Sequence, residues 1–255
     1  MKVTKIAVRL AVAAAVVFVA GQATSLVLVE KSPEQKQRKD VDKQTAKLAL
    51  CLGKSLLKCE ENGASDAPEC DIQNPGASTV PDPDNKIIPK FIADIAKCES
   101  KLNLAKKGNF YTEIGCPGDS DSMTAGDQPY ANLAAYQASV PAATKVQLAL
   151  LAGILTALCP DNQCTVDQGK LGLKYAKAVF KCISKCENDY KNKKGDGGID
   201  DLTTKCEPGG GDANFSACIS KGLTKAAGID MAFAGGLGTA ISDGRDDLYN
   251  EDDCP

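Results

Sequence analysis

Cysteine is the residue type with the clearest capacity for chemistry in this 255-residue chain, which contains 12 of them. Two lie four residues apart in the stretch KLGLKYAKAVFKCISKCEND, as Cys182 and Cys186. They could form a metal clip, a redox pair or halves of two separate disulfides. A cysteine-only zinc site needs a second matching pair of thiolates, and a thioredoxin-like site needs Cys-x-x-Cys at a helix start. The chain has neither, so the spacing favours disulfides.

The N-terminus predicts the compartment in which the chain folds. Lys2, Lys5 and Arg9 precede an apolar run from 10 to 20, and small residues follow up to Ala23. This pattern predicts a secretory signal peptide over residues 1–23. The apolar run is too short to span a bilayer, so we expect no transmembrane anchor after cleavage. In a secreted or periplasmic protein, we expect an even number of cysteines to be oxidised to disulfides.

The complete absence of histidine narrows the possible functions. It excludes Ser-His-Asp and Cys-His catalysis, His-ligated zinc and His-ligated haem. Carboxylate or Ser-Lys chemistry has no supporting motif, and Gly235, Gly236 and Gly238 do not complete a dinucleotide fingerprint. The acidic tail from Ser242 lacks the ligand spacing of an EF-hand loop. We therefore expect no enzyme activity, no cofactor and no metal.

Helical spacing of apolar residues dominates the chain and predicts an all-α fold. No alternating run is long enough for a sheet. The predicted helices cover about 41–59 and 88–107, and three more begin at Pro141, at a Thr165–Gln168 capping box and near Asp212. The Gly-rich segment after Gly228 predicts a kinked or broken helix.

One segment, from Val146 to Leu158, is apolar on almost every side. It could be membrane-active or could form the buried central helix of the fold. We favour the buried helix, because this stretch is shorter than a bilayer span and lies between Lys145 and Asp161.

The two halves of the chain repeat a cysteine pattern. KCEEN at 58–62 matches KCEND at 185–189, and CESKLNLAKKG at 98–108 matches CISKGLTKAAG at 218–228. Such repeats bury a shared core when they pack together. We expect a disulfide-stapled helical bundle of two Cys-rich helical-hairpin repeats around a central apolar helix. The predicted divisions are a signal peptide (1–23), a polar lead-in (24–40), repeat 1 (41–119), a connector with the buried helix (120–165) and repeat 2 with the acidic tail (166–255).

These Cys-bounded, Lys/Ala-rich hairpins resemble a group of uncharacterised exported bacterial proteins. The resemblance covers about two-thirds of the chain and implies a fold and a compartment, but no activity. The chain departs from twin Cys-x3-Cys proteins, which have that spacing on both helices, and from lipid-transfer proteins, which have adjacent cysteines.

A helical wheel predicts the partners of the two helical cysteines. Cys182 and Cys186 lie on the apolar face, where residues four apart are poorly placed to bond each other. We predict Cys186–Cys206 and Cys182–Cys218 and, from the repeat, Cys59–Cys70 and Cys51–Cys98. Four cysteines stay unassigned: Cys116, Cys159, Cys164 and Cys254. Either Cys159–Cys164 closes the CPDNQC turn and Cys116 meets Cys254, or the turn anchors both tails.

The opposite face of the same helix carries a stripe of lysines that could bind an anionic surface. Its members are Lys170, Lys174, Lys177, Lys181 and Lys185. Such a stripe is more often the solvated face of an amphipathic helix, and no aromatic residues interleave with it as single-stranded nucleic-acid binding requires. We expect no specific nucleic-acid partner.

Two functions suit this chain. The first is a non-catalytic exported structural or binding protein with an extracellular or periplasmic partner. The second is a carrier that holds an apolar small molecule or lipid in a cavity between its helices.

Overall fold

A computed structural model describes residues 33–63, 69–102, 133–191, 206 and 212–249. Across these ranges the fold is all-α, as the sequence predicts, and contains no strand. The helices are α1 (Pro33–Glu60), α2 (Ile87–Glu99), α3 (Leu133–Leu158), α4 (Asn162–Lys191), α5 (Ala213–Lys225) and α6 (Met231–Tyr249). The predicted signal peptide, Cys116 and Cys254 lie outside the described residues.

Helix α3 begins at Leu133, so the prediction that Pro141 opens this helix is wrong. The preceding turns are rich in Leu and Ala, which favour helix. An internal proline removes one backbone hydrogen bond and crowds the preceding turn, yet α3 continues through Pro141, with Val140 fully buried beside it. Helix α1 likewise begins at Pro33, so part of the predicted polar lead-in is helical.

The predicted capping box at Thr165 is also wrong, because α4 begins three residues earlier. The carboxylate of Asp161 accepts the backbone N–H of Cys164 at 2.7 Å and caps the helix there. Thr165 therefore lies inside α4, where its hydroxyl donates to the carbonyl of Asp161 at 3.2 Å.

Two further predicted boundaries differ from the structure. Helix α2 ends at Glu99 rather than near residue 107, and residues 100 and 101 form a hydrogen-bonded turn after it. Helix α6 is continuous despite its glycines. Its first turn is held by Asp230, whose carboxylate accepts the N–H groups of Ala232 at 2.8 Å and Phe233 at 3.0 Å.

The described helices pack as two layers, with α1 and α4 side by side at the centre of the first. They are antiparallel, since Gly53 of α1 approaches Leu173 of α4 while Gly169 approaches Leu57. A Cβ atom added at Gly53 would lie 2.8 Å from the Leu173 side chain, so glycine permits this close contact. Helix α2 flanks α1 and α5 flanks α4, and α3 and α6 pack on each other to form the second layer.

The buried residues form two clusters rather than one. The first joins α1, α2 and the loop between them with Val140 of α3. The second joins the C-terminal half of α3 with α4, α5 and α6. Helix α3 therefore contributes to both.

Five disulfides link the described residues, and four of them are the predicted pairs. Two join the helices of a hairpin, Cys51–Cys98 and Cys182–Cys218, and two tie a helix to the following loop, Cys59–Cys70 and Cys186–Cys206. The fifth, Cys159–Cys164, closes the turn between α3 and α4. Disulfides in this number are typical of proteins from oxidising extracellular or periplasmic compartments.

Helix α3 is less buried than the sequence predicts. Only 17% of the window Val140–Leu158 is buried, and Leu150 is 59% exposed. By length and composition this is the one candidate membrane span among the described helices, so the argument that it is too short to span a bilayer is wrong. The core helix of a soluble protein can have the same length and composition, and α3 is packed against α1, α4 and α6.

Candidate ligand cavity

A cavity of about 140 Å³, partly open to solvent, lies between α1, α3, α4 and α6. Its leucines are Leu50, Leu56, Leu57, Leu148, Leu151, Leu155, Leu173 and Leu237. A dry, apolar cavity of about 150 Å³ can hold one benzene ring. The enclosed space therefore suits a single ring or a short length of alkyl chain.

The cavity exists because small residues occupy the helix faces that surround it. Ala49, Ala152 and Ala176 line it together with Gly53 and Gly172. Larger side chains at the alanine positions would extend into this space, whereas glycine at 53 and 172 admits the side chains of Leu173 and Phe233.

Phe233 of α6 forms part of the cavity wall and is 3% exposed. Its ring lies against the backbone of α4, where a Cβ atom added at Gly172 would come within 2.5 Å of the ring. Glycine at position 172 therefore lets Phe233 seat against α4.

The cavity wall contains few hydroxyl groups, and most are already bonded within their own helices. Thr144 donates to the carbonyl of Val140 at 2.8 Å, and Thr156 donates to that of Ala152 at 3.0 Å. The hydroxyl oxygen of Thr45 is buried and has no hydrogen-bond partner. Thr45 is thus a free donor or acceptor in this wall.

Glu60 contributes an ionisable group to the same wall and is 4% exposed. Its carboxylate accepts the N–H of Cys70 at 3.0 Å and that of Glu69 at 3.4 Å. Burial raises the pKa of Glu60, and the nearby Glu69 charge adds to the increase, while the two backbone hydrogen bonds oppose it. The protonated form is therefore favoured in the folded chain more than in the unfolded chain.

Replacing Glu60 with Gln should change how stability depends on pH. Because the folded pKa is raised, Glu60 contributes stability that is fully present below its unfolded pKa and is lost as pH rises through the folded pKa. We expect the melting temperature of Glu60→Gln, relative to the unmodified protein, to be higher at pH 8 than at pH 4.5. Thermal unfolding across this range measures it, with Asp167→Asn, at an exposed position outside the cavity wall, as the control. A difference between Glu60→Gln and the unmodified protein that does not vary with pH would contradict the assignment.

The predicted lysine stripe is separate from the cavity. Lys170, Lys174, Lys177, Lys181 and Lys185 are all exposed and none lines the cavity. The disulfides connect the helices and loops of the fold, and none of their cysteines lines the described wall of the cavity. Within the described residues no three His, Cys, Asp or Glu side chains converge as a metal site would require.

Sequence reasoning missed the cavity residues. The small residues at 169, 172 and 176 of α4 share one face of the helix, but Gly169 and Gly172 lie tightly against Leu57 and Phe233. A helical wheel does not distinguish small residues that permit tight packing from small residues that leave a space.

No family model, curated protein or solved structure matches this chain. The geometry of the cavity and of the surrounding helices therefore carries the functional argument.

Proposed function

We propose that this protein is a non-catalytic exported binding protein that carries an apolar small molecule, or the chain of a single-chain lipid, in the cavity between α1, α3, α4 and α6. The observation behind this proposal is the cavity itself, with its largely apolar wall and a free hydroxyl at Thr45. A non-catalytic role fits a sequence without histidine.

Water is a poor occupant of such a space. An ordered internal water needs two to four polar partners, whereas most side chains of the described cavity wall are apolar and three of its four threonine hydroxyls already donate to backbone carbonyls. An alkyl or aromatic group instead gains roughly 25 cal/mol for each Å² of apolar surface removed from water. The cavity therefore favours an apolar occupant.

The free hydroxyl of Thr45 suggests the chemistry of one part of the ligand. A hydroxyl, ester or amide near Thr45 would satisfy its buried oxygen, and satisfying a buried polar group is worth about 1 to 3 kcal/mol. An alkyl chain with an uncharged polar group fits this requirement better than a pure hydrocarbon.

The surface of α3 is relevant to ligands larger than the enclosed space. Val146, Leu150 and Leu158 of this helix are each more than 40% exposed. These side chains do not line the cavity, but they offer apolar surface to the part of a longer chain that lies outside it.

The disulfides support a carrier that binds outside the cytoplasm. They hold both hairpins together whether or not the cavity is filled, and a preorganised site loses less entropy on binding. The broader hypothesis, an exported structural or binding module, also fits this arrangement. Under that hypothesis the cavity is a packing defect that holds no ligand.

Filling the cavity tests the proposal. Ala152 lines the cavity and Ala157 of the same helix is exposed outside it. Calorimetric titration with 1-decanol should show that Ala152→Phe weakens binding by about tenfold or more, equivalent to about 1.4 kcal/mol. The matched control Ala157→Phe should bind as the unmodified protein does. Equal binding by the two variants, or no binding by the unmodified protein, would refute the proposal.

A further inference from the structure

The outer face of the first helical layer is rich in lysine on both of its central helices. On α4 the predicted stripe is exposed along its full length. Helix α1 carries a second stripe that the sequence analysis did not single out: Lys43, Lys47, Lys54 and Lys58, all exposed. Their spacing of four and seven residues places them on one side of α1.

The two stripes adjoin one another. A salt bridge joins Lys170 of α4 to Glu61 at the end of α1, so the exposed edges of the two helices meet at this point. Since α1 and α4 run antiparallel in close contact, the stripes continue side by side from there. Helix axes in such contact are 8 to 10 Å apart, and a stripe of 15 residues is about 22 Å long.

Among the side chains that the structure describes on these two helices, few are acidic. Against nine exposed lysines, the exposed carboxylates described on α1 and α4 and at their adjoining ends are Glu61, Asp161 and Asp167, all towards the Lys170 end. A further carboxylate, Glu60, is buried on the cavity side. The flanking helix α5 carries no acid and adds exposed Lys221 and Lys225. This concentration of positive charge contrasts with a net charge of −3 for the whole chain.

We infer that this basic face, defined as the lysine stripes of α1 and α4, docks the protein onto an anionic phospholipid bilayer. A broad array of flexible ammonium groups suits a plane of many phosphates, because each lysine near such a surface adds attraction without needing a fixed geometry. Among its described side chains, the face presents no arginine for bidentate phosphate recognition and no aromatic ring for stacking bases. These features favour a lipid surface over nucleic acid.

The basic face and the cavity lie on opposite sides of the α1–α4 pair. The small and leucine residues of α1 and α4 that line the cavity face α3 and α6, whereas the lysines face away from them. Docking through the lysines would leave α3 and the cavity accessible. Membrane docking does not depend on the proposed ligand function, and either can hold if the other fails.

Vesicle co-sedimentation of the oxidised full chain tests this inference. We expect binding to phosphatidylglycerol/phosphatidylcholine vesicles at about 0.1 M salt and loss of binding at about 1 M, where the Debye length falls to about 3 Å. The triple variant Lys174→Gln, Lys177→Gln and Lys181→Gln should bind at least about tenfold more weakly.

The matched control changes net charge equally on the other side of the molecule. It replaces three exposed residues of α3, Val146, Leu150 and Ala157, with Glu. Circular dichroism should confirm that both variants fold. The inference predicts that this control keeps most of its vesicle binding. It is overturned if the control loses binding while the lysine variant keeps it, if neutral vesicles bind equally well, or if duplex DNA or heparin outcompetes the vesicles at the same salt.

Discussion

A variant with Cys51 and Cys98 both replaced by Ala will lose about 2 kcal/mol more unfolding free energy than a variant with Cys159 and Cys164 both replaced by Ala. The two disulfides close loops of very different length, with sequence separations of 47 and 5. In the chain-entropy account, a cross-link stabilises by restricting the unfolded chain, by about 4 kcal/mol for the longer loop and about 2 kcal/mol for the shorter.

The two variants are well matched because each removes one disulfide with one buried and one half-buried cysteine. Urea unfolding monitored by circular dichroism measures the difference, provided that both variants unfold in a single transition. Equal losses, or a larger loss for the short loop, would show that local packing around each disulfide outweighs loop closure.

Replacing Phe233 with Ala will cost about 3 to 5 kcal/mol of stability and will also change ligand binding. Phe233 is 3% exposed and forms part of the cavity wall, so removing its ring enlarges the space. A ligand that ends in a phenyl group, such as 6-phenylhexan-1-ol, should bind this variant more tightly than the unmodified protein does.

Phe215 of α5 provides the control for this prediction. It is 2% exposed, belongs to the same buried cluster and does not line the cavity. Phe215→Ala should therefore cost a similar free energy of unfolding while leaving the affinity for 6-phenylhexan-1-ol unchanged. Parallel shifts in affinity for both variants would mean that general loosening of the fold, rather than the cavity, controls binding.

The disulfide pairs were predictable because they depend on helix periodicity and on the order of cysteines in the two halves. Cys182 and Cys186 share the apolar face of α4, which excludes a bond between them and directs each to a different partner. The same order in the first half then indicated Cys51–Cys98 and Cys59–Cys70. The duplication behind this argument stays a prediction.

Helix boundaries were less predictable because several residues compete to cap a helix. Asp161 and Thr165 both have suitable side chains, and Asp161 caps α4 since its carboxylate reaches the N–H of Cys164. At α3, the helix begins in the Leu/Ala-rich turns before the proline and continues through it.

The partial burial of α3 and the cavity beside it depend on tertiary packing. Periodicity showed an apolar helix, but it could not show that α1, α4 and α6 would leave much of that helix uncovered. The sequence indicated only the α4 half of the basic face. The α1 half depends on the packing of α1 beside α4, through contacts such as Gly53 with Leu173 that join residues more than a hundred positions apart.

Locating a bound ligand by NMR tests the central claim most directly. A fatty alcohol with a nitroxide at the end of its chain should broaden the methyl signals of Leu148 and Leu155 in the cavity wall. The methyl signals of Ile72 and Ile95, which do not line the cavity, should stay sharp. An unlabelled alcohol should restore the broadened signals. Broadening confined to the exposed Val146, Leu150 and Leu158, with Leu148 and Leu155 unaffected, would place the ligand on the surface and contradict the account.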